Sequence, residues 1–300
     1  MTEIDFDKQY GQIWLDGTIV PASSANLHVL THGLHYASAV FEGERVYDGE
    51  VFKLTEHSER LARSAELLGF KLPLTVAELD EATRAVVKAN NIVDGYVRPV
   101  AWRGAEMMGV SAQKNTIHLA IACWVWPSYF TPEAKMRGLR LQISKWHRPD
   151  PKTAPTQSKA AGLYMICTLS KHQAESEGFE DALMLDWRGQ VAEATGANIF
   201  FVKGKEIHTP KPDCFLDGIT RRTAIDLARQ RGYQIVERAI MPEEMADFDE
   251  CFLTGTAVEV TPVREIGPYS FTPGAVCRQL IEDFEALVRR RPAVDKVAAA

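Results

Sequence analysis

Short apolar runs separated by Asp-Gly pairs open the chain. The two pairs are Asp16-Gly17 and Asp48-Gly49. Asp-Gly between apolar runs is a strong signal of a two-residue β-hairpin. The pattern therefore predicts two hairpins, with strands at Gln12–Leu15, Thr18–Val20, Glu44–Tyr47 and Val51–Leu54.

Helical spacing follows these short runs. A first helix is predicted near Glu56–Leu68, where Leu61 and Ala65 fall on one face. A second helix is predicted to begin at Thr75, because Glu78 follows at the spacing of a capping box.

Strands and helices continue to alternate in both halves of the chain. Strands are predicted at Tyr96–Trp102 and Thr116–Trp126, and the stretch between Pro127 and Gly138 has the prolines and glycine of a linker. The elements predicted beyond it are Leu139–Ser144, Leu163–Glu177, a hairpin pair over Ala182–Glu206, Thr220–Arg231, Cys251–Thr254 and Ala275–Arg290. We therefore predict an α/β fold with mixed sheets. Its parts are a smaller N-terminal domain over 1–127, an interdomain loop over 128–138 and a larger C-terminal domain over 139–300.

Composition narrows the class of partner. The net charge of −6 argues against a nucleic-acid or anionic-membrane surface. The longest apolar run, Leu119–Trp126, is too short to span a bilayer, and the acidic N-terminus does not have the pattern of a signal peptide. The five cysteines form no CxxC pair and the histidines form no HExxH motif, so no metal site is predicted. We expect a cytoplasmic, reducing compartment.

One lysine, Lys159, lies among small residues in the segment Ala154–Tyr164. A poorly solvated lysine tends to lose its proton, and a neutral amine can attack a carbonyl carbon. Most lysines in such stretches are solvated surface residues, so both interpretations stay open. A catalytic role depends on the other groups that a Schiff-base cofactor requires.

Pyridoxal phosphate requires a lysine, an acid facing its pyridine nitrogen, a partner for its phenolic oxygen and a phosphate cup. Tyr164 is a candidate for the phenolic oxygen, and Glu193 in QVAEATGANIF is a candidate for the nitrogen. A carboxylate there would keep the ring nitrogen protonated, so that the ring accepts electrons. The alternative for Glu193 is an exposed glutamate in a turn.

Candidates for the phosphate cup lie at two turns and on one helix. In Leu216–Thr223, Ile219 and Thr220 start a helix, where N–H groups and the helix dipole attract anions. The turn Thr254–Thr256 offers a hydroxyl and further N–H groups, and Arg60 offers a charge. The alternatives are an ordinary capped helix, a plain turn at a strand end and a solvated arginine.

Tyr96 and Arg98 are two residues apart on a predicted strand, so both side chains face one side of the sheet. A tyrosine hydroxyl beside a guanidinium can bind a carboxylate. An edge strand marked by Pro99 would produce the same pattern. The residues that could line an apolar pocket, or simply pack in the core, are Tyr36, Phe41, Val110, Trp126 and Tyr129.

Seven motifs occur in an order that resembles branched-chain amino acid aminotransferases. They are HGLHYASAVFEGERVYDG, HSERLARSAELL, GYVRPV, PTQSKAAGLY, VAEATGANIF, LDGITRRT and LTGTAVEVTPVR. These enzymes are class IV, fold-type IV pyridoxal phosphate enzymes. The resemblance therefore implies a two-domain fold like that of D-amino acid aminotransferase.

The resemblance also implies a role for each candidate. The catalytic lysine is Lys159, and the residues implied for the cofactor are Arg60, Lys159, Tyr164, Glu193, Ile219, Thr220 and Thr256. Those implied for the substrate are Tyr36, Phe41, Tyr96, Arg98, Val110, Trp126, Tyr129, Thr256 and Ala257. In the family some of these residues come from the neighbouring subunit, so a homodimer is implied.

The implied activity is transfer of the amino group of leucine, isoleucine or valine to 2-oxoglutarate, in a ping-pong reaction. The alternatives within the fold are a D-amino acid or (R)-amine transaminase and a lyase, and the pair Tyr96 and Arg98 favours L-amino acids. A cofactor-free binding protein and a cofactor-free lysine aldolase are alternatives of other classes. Ala197 and the stretch Tyr36-Ala37-Ser38-Ala39 depart from the family pattern, and both departures concern the substrate range.

Overall fold

The computed structural model describes residues 11–126 and 135–289, which form two compact units. The first unit contains 11–126 together with Arg148–Leu169 and Asp213–Leu216. The second contains 135–147, Ser170–Pro212 and 217–289. Within these two stretches of chain, no helix has both the length and the apolar character of a membrane span.

A seven-stranded antiparallel sheet organises the first unit. Its strands are β1 (Gln12–Leu15), β2 (Thr18–Pro21), β3 (Ala39–Phe41), β4 (Glu44–Tyr47), β5 (Glu50–Val51), β6 (Gly95–Arg103) and β7 (Ile117–Val125). They pair in the order β2-β1-β7-β6-β4-β5, and β3 also pairs with β6. Both predicted hairpins, β1 with β2 and β4 with β5, are confirmed.

The helices of the first unit are α1 (His32–Tyr36), α2 (Leu54–Leu67) and α3 (Val76–Ala89). Thr75 and Glu78 form the predicted capping box at the start of α3. Fully buried Leu61 on α2 and Val86 on α3 pack into one core with the sheet.

The predicted strand over Val51–Leu54 is wrong at its end, because β5 stops at Val51 and Leu54 is the first residue of α2. The cause is local: Lys53 has φ 53°, in the left-handed region, so the extended backbone cannot continue through it.

The second unit is built on a nine-stranded mixed sheet. Its strands are β8 (Leu139–Ile143), β9 (Asp181–Leu185), β10 (Val191–Ala194), β11 (Asn198–Lys203), β12 (Glu206–Thr209), β13 (Gln234–Glu237), β14 (Glu250–Gly255), β15 (Glu259–Ile266) and β16 (Tyr269–Ser270). Their order is β10-β9-β8-β15-β14-β11-β12-β13, with β16 on β15 and a further pairing of β10 with β11. β8 runs parallel to β9 and β15, and β12 runs parallel to β13.

Three further α-helices lie in the later part of the chain. They are α4 (Met165–Ser176), α5 (Ile219–Gln230) and α6 (Ala275–Val288), and a 3-10 turn at Ala161–Tyr164 precedes α4. The predicted α/β class with mixed sheets is confirmed. The domain boundaries at 127 and 138 stay a prediction. The linker between Pro127 and Gly138 lies largely outside the described residues.

The interior of the first unit holds a carboxyl group that lacks a hydrogen-bond partner at one oxygen. Glu44 on β4 is 1% exposed, and no described residue donates to its Oε2. Burial raises the pKa of Glu44 well above its ordinary value, and the neighbouring carboxylates of Glu42 and Asp80 raise this pKa further. The folded chain therefore keeps this carboxyl protonated at pH values where the unfolded chain ionises it.

We expect Glu44→Gln to stabilise the protein, by an amount that grows with pH. The wild-type fold binds one more proton at this site than the unfolded chain does, so it loses up to about 1.4 kcal/mol per pH unit as the pH rises above the ordinary pKa of glutamate. Glutamine is neutral at every pH and shows no such loss. Thermal unfolding of both proteins from about pH 5 to about pH 9 measures this difference. A constant gap between the two midpoints would contradict it.

Candidate active site

The backbone on both sides of Lys159 is fixed by hydrogen bonds within the first unit. The Lys159 N–H donates to Oγ of Ser64 on α2 at 3.0 Å, and the Ser158 hydroxyl donates to the Ser64 carbonyl at 2.9 Å. The Phe41 N–H, at the end of β3, donates to the Lys159 carbonyl at 3.1 Å. Lys159 is therefore anchored to a helix on one side and to a strand on the other.

The amine of Lys159 lies beside two aromatic rings. Its Nζ donates to Oη of Tyr164 at 2.7 Å and is 5.0 Å from the ring centroid of Phe41. The two rings meet edge to face, with centroids 4.7 Å apart. Tyr164 reaches the amine because the 3-10 turn that it ends begins two residues after Lys159. An amine in hydrogen-bond reach of a phenol is a suitable acid–base group.

A buried ion pair lies in the same unit. The carboxylate of Glu42 accepts from Nε of Arg60 at 2.6 Å and from Nη2 at 2.8 Å. It also accepts from Nδ1 of His57 at 2.7 Å and from the Gly43 N–H at 3.2 Å. Its side chain has no exposed area. The alternative interpretation of Arg60 as a solvated surface residue is therefore wrong.

The charges in this cluster follow from burial and from the ion pair. Burial alone would raise the pKa of Glu42, but Arg60 and His57 together hold this pKa well below its usual range. Burial lowers the pKa of His57, although Glu42 opposes the shift. The pKa of Arg60 is raised because the Glu42 carboxylate outweighs the opposing effect of burial. At neutral pH the cluster is a carboxylate, a guanidinium and a neutral imidazole.

Predicted substrate residues meet on β6. Tyr96 and Arg98 face one side of the sheet, and Nη2 of Arg98 donates to Oη of Tyr96 at 3.4 Å. The guanidinium carbon of Arg98 is 4.8 Å from the ring centroid of Phe41, and the Tyr96 ring is 5.5 Å from that of Trp126. Nε of Arg98 is buried without an acceptor in the described part of the chain. A buried donor in this state is suited to an anionic ligand.

Two other predicted pocket residues lie at the surface. Tyr36 ends α1, stacks on His32 and donates to the carbonyl of Met108 at 3.2 Å. Val110 is 84% exposed. Tyr129, the remaining predicted pocket residue, lies outside the described residues.

In the second unit, Asn198 hydrogen-bonds to Glu193, which is predicted to bind the cofactor, and to Gly218, which directly precedes two other predicted cofactor residues. Its Nδ2 donates to Oε2 of Glu193 at 3.4 Å, across the pairing of β10 with β11. Its Oδ1 accepts from the N–H of Gly218 at 3.2 Å. Gly218 is the N-cap of α5, whose first residues are Ile219 and Thr220. Because glycine has no capping side chain, the first N–H groups of α5 are suited to an anion.

The turn between β14 and β15 carries Thr256 and Ala257, with Thr256 half-buried and Ala257 exposed. At the end of β14, the hydroxyl of Thr254 is buried and has no partner among the described residues. Ala197 is buried in the core of the second unit. An unpartnered hydroxyl at the end of β14 therefore precedes, by two residues, the turn that carries Thr256 and Ala257.

Some residues that hold the candidates in place were not predicted. Glu42 and His57 lie inside the recognised motifs, but Glu42, the common partner of His57 and Arg60, is 15 residues from the first and 18 residues from the second. The available signal for Glu42 was a charged residue directly after an apolar run. Ser64 and Asn198 gave no signal of their own, since small polar residues are common on helices and at strand ends.

Comparisons with known proteins agree with the motifs. Residues 39–266 match the family described as "Amino-transferase class IV". The "Probable branched-chain-amino-acid aminotransferase" of Rickettsia conorii is 42% identical over 293 residues, which are 96% of this chain and 100% of that protein. The predicted resemblance is thereby confirmed.

Solved structures agree as well. A branched-chain amino acid aminotransferase solved with pyridoxamine 5'-phosphate is 37% identical, with a TM-score of 0.91 over 95% of this chain and 96% of that one. The branched-chain aminotransferase of Thermoproteus uzoniensis with norvaline is 33% identical, with a TM-score of 0.90 over 95% and 97%.

A substitution at Gly218 tests the contact between this residue and Asn198. A Cβ at Gly218 would lie 2.3 Å from Oδ1 of Asn198, whereas a Cβ at Gly196 would meet nothing within 4 Å. We expect Gly218→Ala to lower the free energy of unfolding by about 1–3 kcal/mol, because the buried asparagine must move. The matched Gly196→Ala should stay within about 0.5 kcal/mol of the wild type. Chemical denaturation compares the variants, and equal effects would contradict the assignment.

Proposed function

The chain belongs to the class IV aminotransferases, and from this premise we propose that it transfers the amino group of branched-chain L-amino acids to 2-oxoglutarate. The products are the corresponding 2-oxo acids and L-glutamate. The relatives described above carry the branched-chain designation. They do not favour the D-amino acid, (R)-amine or lyase alternatives.

Pyridoxal phosphate is the cofactor of this family, and the residues of the chain fit it. Nη1 of Arg60 has no acceptor among the described residues, and the start of α5 has no capping side chain, so both suit a phosphate. When bound, the cofactor supplies an aldehyde carbon and an electron-withdrawing ring. The residues proposed to hold it are Arg60, Lys159, Tyr164, Glu193, Ile219, Thr220 and Thr256.

The single observation that carries the proposal is the pairing of Lys159 Nζ with Tyr164 Oη at 2.7 Å. We assign to this amine the proton that leaves the substrate Cα, which it takes and later returns. Tyr164 orients the amine through their hydrogen bond, and Phe41 limits water on one side of it.

The substrate carboxylate is assigned to Tyr96 and Arg98, together with the N–H groups of Thr256 and Ala257. The buried, unpartnered Nε of Arg98 supports this assignment, because a carboxylate would satisfy it. Phe41 and Trp126 are proposed to line the pocket for the branched side chain, with Tyr36, Val110 and Tyr129.

We further propose that the protein acts as a cytoplasmic homodimer. Exposed apolar side chains lie on two segments that the hydrogen bond from Tyr36 to Met108 joins. The exposed fractions of Val29, Leu34 and Val110 are 68%, 66% and 84%. Apolar side chains concentrated at a surface mark an interface. Tyr36 and Val110 are both proposed for the pocket, although both lie at the surface of this copy. In a dimer they would line a pocket together with residues of the second copy.

The dimer can be tested at Leu34. A charge at an apolar interface is costly to bury, so we expect Leu34→Asp to weaken association by at least about tenfold. Val93 is 59% exposed and lies two residues before β6, outside these two segments. Val93→Asp therefore serves as the matched control. Analytical ultracentrifugation compares the two. A monomeric wild type, or a dimer that tolerates Leu34→Asp, would argue against this surface.

Initial rates with a panel of amino donors test the function. With 2-oxoglutarate as acceptor, we expect turnover of L-leucine, L-isoleucine and L-valine, and none of D-alanine or 1-phenylethylamine. Lys159→Ala should lower kcat by at least about 10³-fold, because the proton-transferring amine is lost. Lys152→Ala, an exposed lysine nearby in the chain, should leave the rate unchanged. Preference for D-alanine, or wild-type rates in Lys159→Ala, would refute the proposal.

A further inference from the structure

We propose that Glu42 is a positioning residue for the cofactor phosphate, because its carboxylate fixes Nε and Nη2 of Arg60 and leaves Nη1 for the phosphate. The inference rests on the proposed function, since it takes Arg60 as a phosphate ligand. Glu42 itself does not touch the cofactor in this assignment. It acts through the orientation of the arginine.

The geometry of the pair supports an orienting role. Two hydrogen bonds, at 2.6 Å from Nε and 2.8 Å from Nη2, join the edge of the guanidinium to one carboxylate. A bidentate contact of this kind fixes the plane of the guanidinium as well as its position. The donors that remain on Arg60 are then chiefly those of Nη1, which has no acceptor in the described parts of the chain.

The carboxylate is itself held in place. It also accepts from the imidazole of His57 at 2.7 Å and from the Gly43 N–H at 3.2 Å. The side chain of Glu42 is 0% exposed and that of Arg60 is 16% exposed. On one side, Arg60 therefore donates to a carboxylate that is fully buried and held by other hydrogen bonds. The rest of the Arg60 side chain retains some accessible surface.

Charge alone would argue for the opposite effect. A carboxylate beside Arg60 partly cancels the positive charge that attracts a phosphate. If Glu42 influenced phosphate binding only through its charge, removing that charge would strengthen binding. An orienting role predicts weaker binding, so the sign of the change distinguishes the two explanations.

The two residues that flank Glu42 in the chain contact other residues of the candidate site. The preceding residue, Phe41, donates its N–H to the Lys159 carbonyl at 3.1 Å. At the following residue, Gly43, a Cβ would lie 1.9 Å from Oη of Tyr96, so only glycine fits there. This short segment thus places the arginine at a fixed point relative to Lys159 and Tyr96, within the first unit.

Titration of the full-length apoprotein with pyridoxal phosphate and with pyridoxal tests the inference. Pyridoxal lacks the phosphate but keeps the aldehyde and the ring. We expect Glu42→Gln to raise the Kd of pyridoxal phosphate by at least about tenfold, because a glutamine has one acceptor oxygen instead of two and turns an NH2 group toward the second guanidinium donor. The Kd of pyridoxal should stay within about twofold, since no phosphate is involved.

Glu44→Gln is the matched control. Glu44 lies two residues further along, is equally buried and contacts neither Arg60 nor Lys159 through any hydrogen bond among the described residues. Its substitution should leave both Kd values within about twofold of the wild type.

A double variant shows whether Glu42 acts through Arg60. Arg60→Gln alone should weaken pyridoxal phosphate binding, and adding Glu42→Gln should change that Kd by no more than about twofold. If Glu42→Gln does not fold, as judged by circular dichroism, Glu42→Asp replaces it, because it keeps the charge and withdraws the carboxylate by one methylene.

The outcomes separate the inference from the function on which it rests. Unchanged or tighter binding of pyridoxal phosphate by Glu42→Gln would overturn the inference. So would an equal loss of pyridoxal binding, which indicates general damage, or additive losses in the double variant. A wild-type chain that binds neither compound would instead overturn the proposed function.

Discussion

Burial of the Glu42 carboxylate is the constraint on which the arrangement of the first unit depends. An ionised group without exposed area costs several kcal/mol in lost hydration unless partners replace the water. Arg60 and His57 supply that replacement, and both lie on α2. Ser64, one turn after Arg60 on the same helix, accepts from the Lys159 N–H. The interaction that compensates the buried charge therefore also fixes the helix that holds the lysine.

The chemistry then follows from the hydrogen-bond donors that have no acceptor within the described chain. Nη1 of Arg60, Nε of Arg98 and the first N–H groups of α5 lack protein acceptors among the residues described, and all three suit anionic groups. An amino acid has a carboxylate, and pyridoxal phosphate has a phosphate. The amine of Lys159, oriented by Tyr164, supplies the group that moves a proton. Each of the two units thus contains donors of the kind that this reaction needs.

Local signals predicted much of the fold, and in the candidate site they predicted the common face of two residues. The Asp-Gly hairpins and the capping box depend on neighbouring residues, and the shared face of Tyr96 and Arg98 depends only on the period of a strand. The contacts that position the site are long-range: Lys159 and Ser64 are 95 residues apart, and no periodicity relates them. Leu54 was misplaced because the left-handed backbone at Lys53, a non-glycine residue, has no sequence signal of the usual kind.

The proposed reaction requires that the amine at position 159 carries the cofactor. Reduction of the holoenzyme with borohydride, followed by peptide mapping, identifies the lysine that is bound to the cofactor. We expect a pyridoxyl group on the peptide that contains Lys159. A pyridoxyl group on another lysine, or on none, would contradict it.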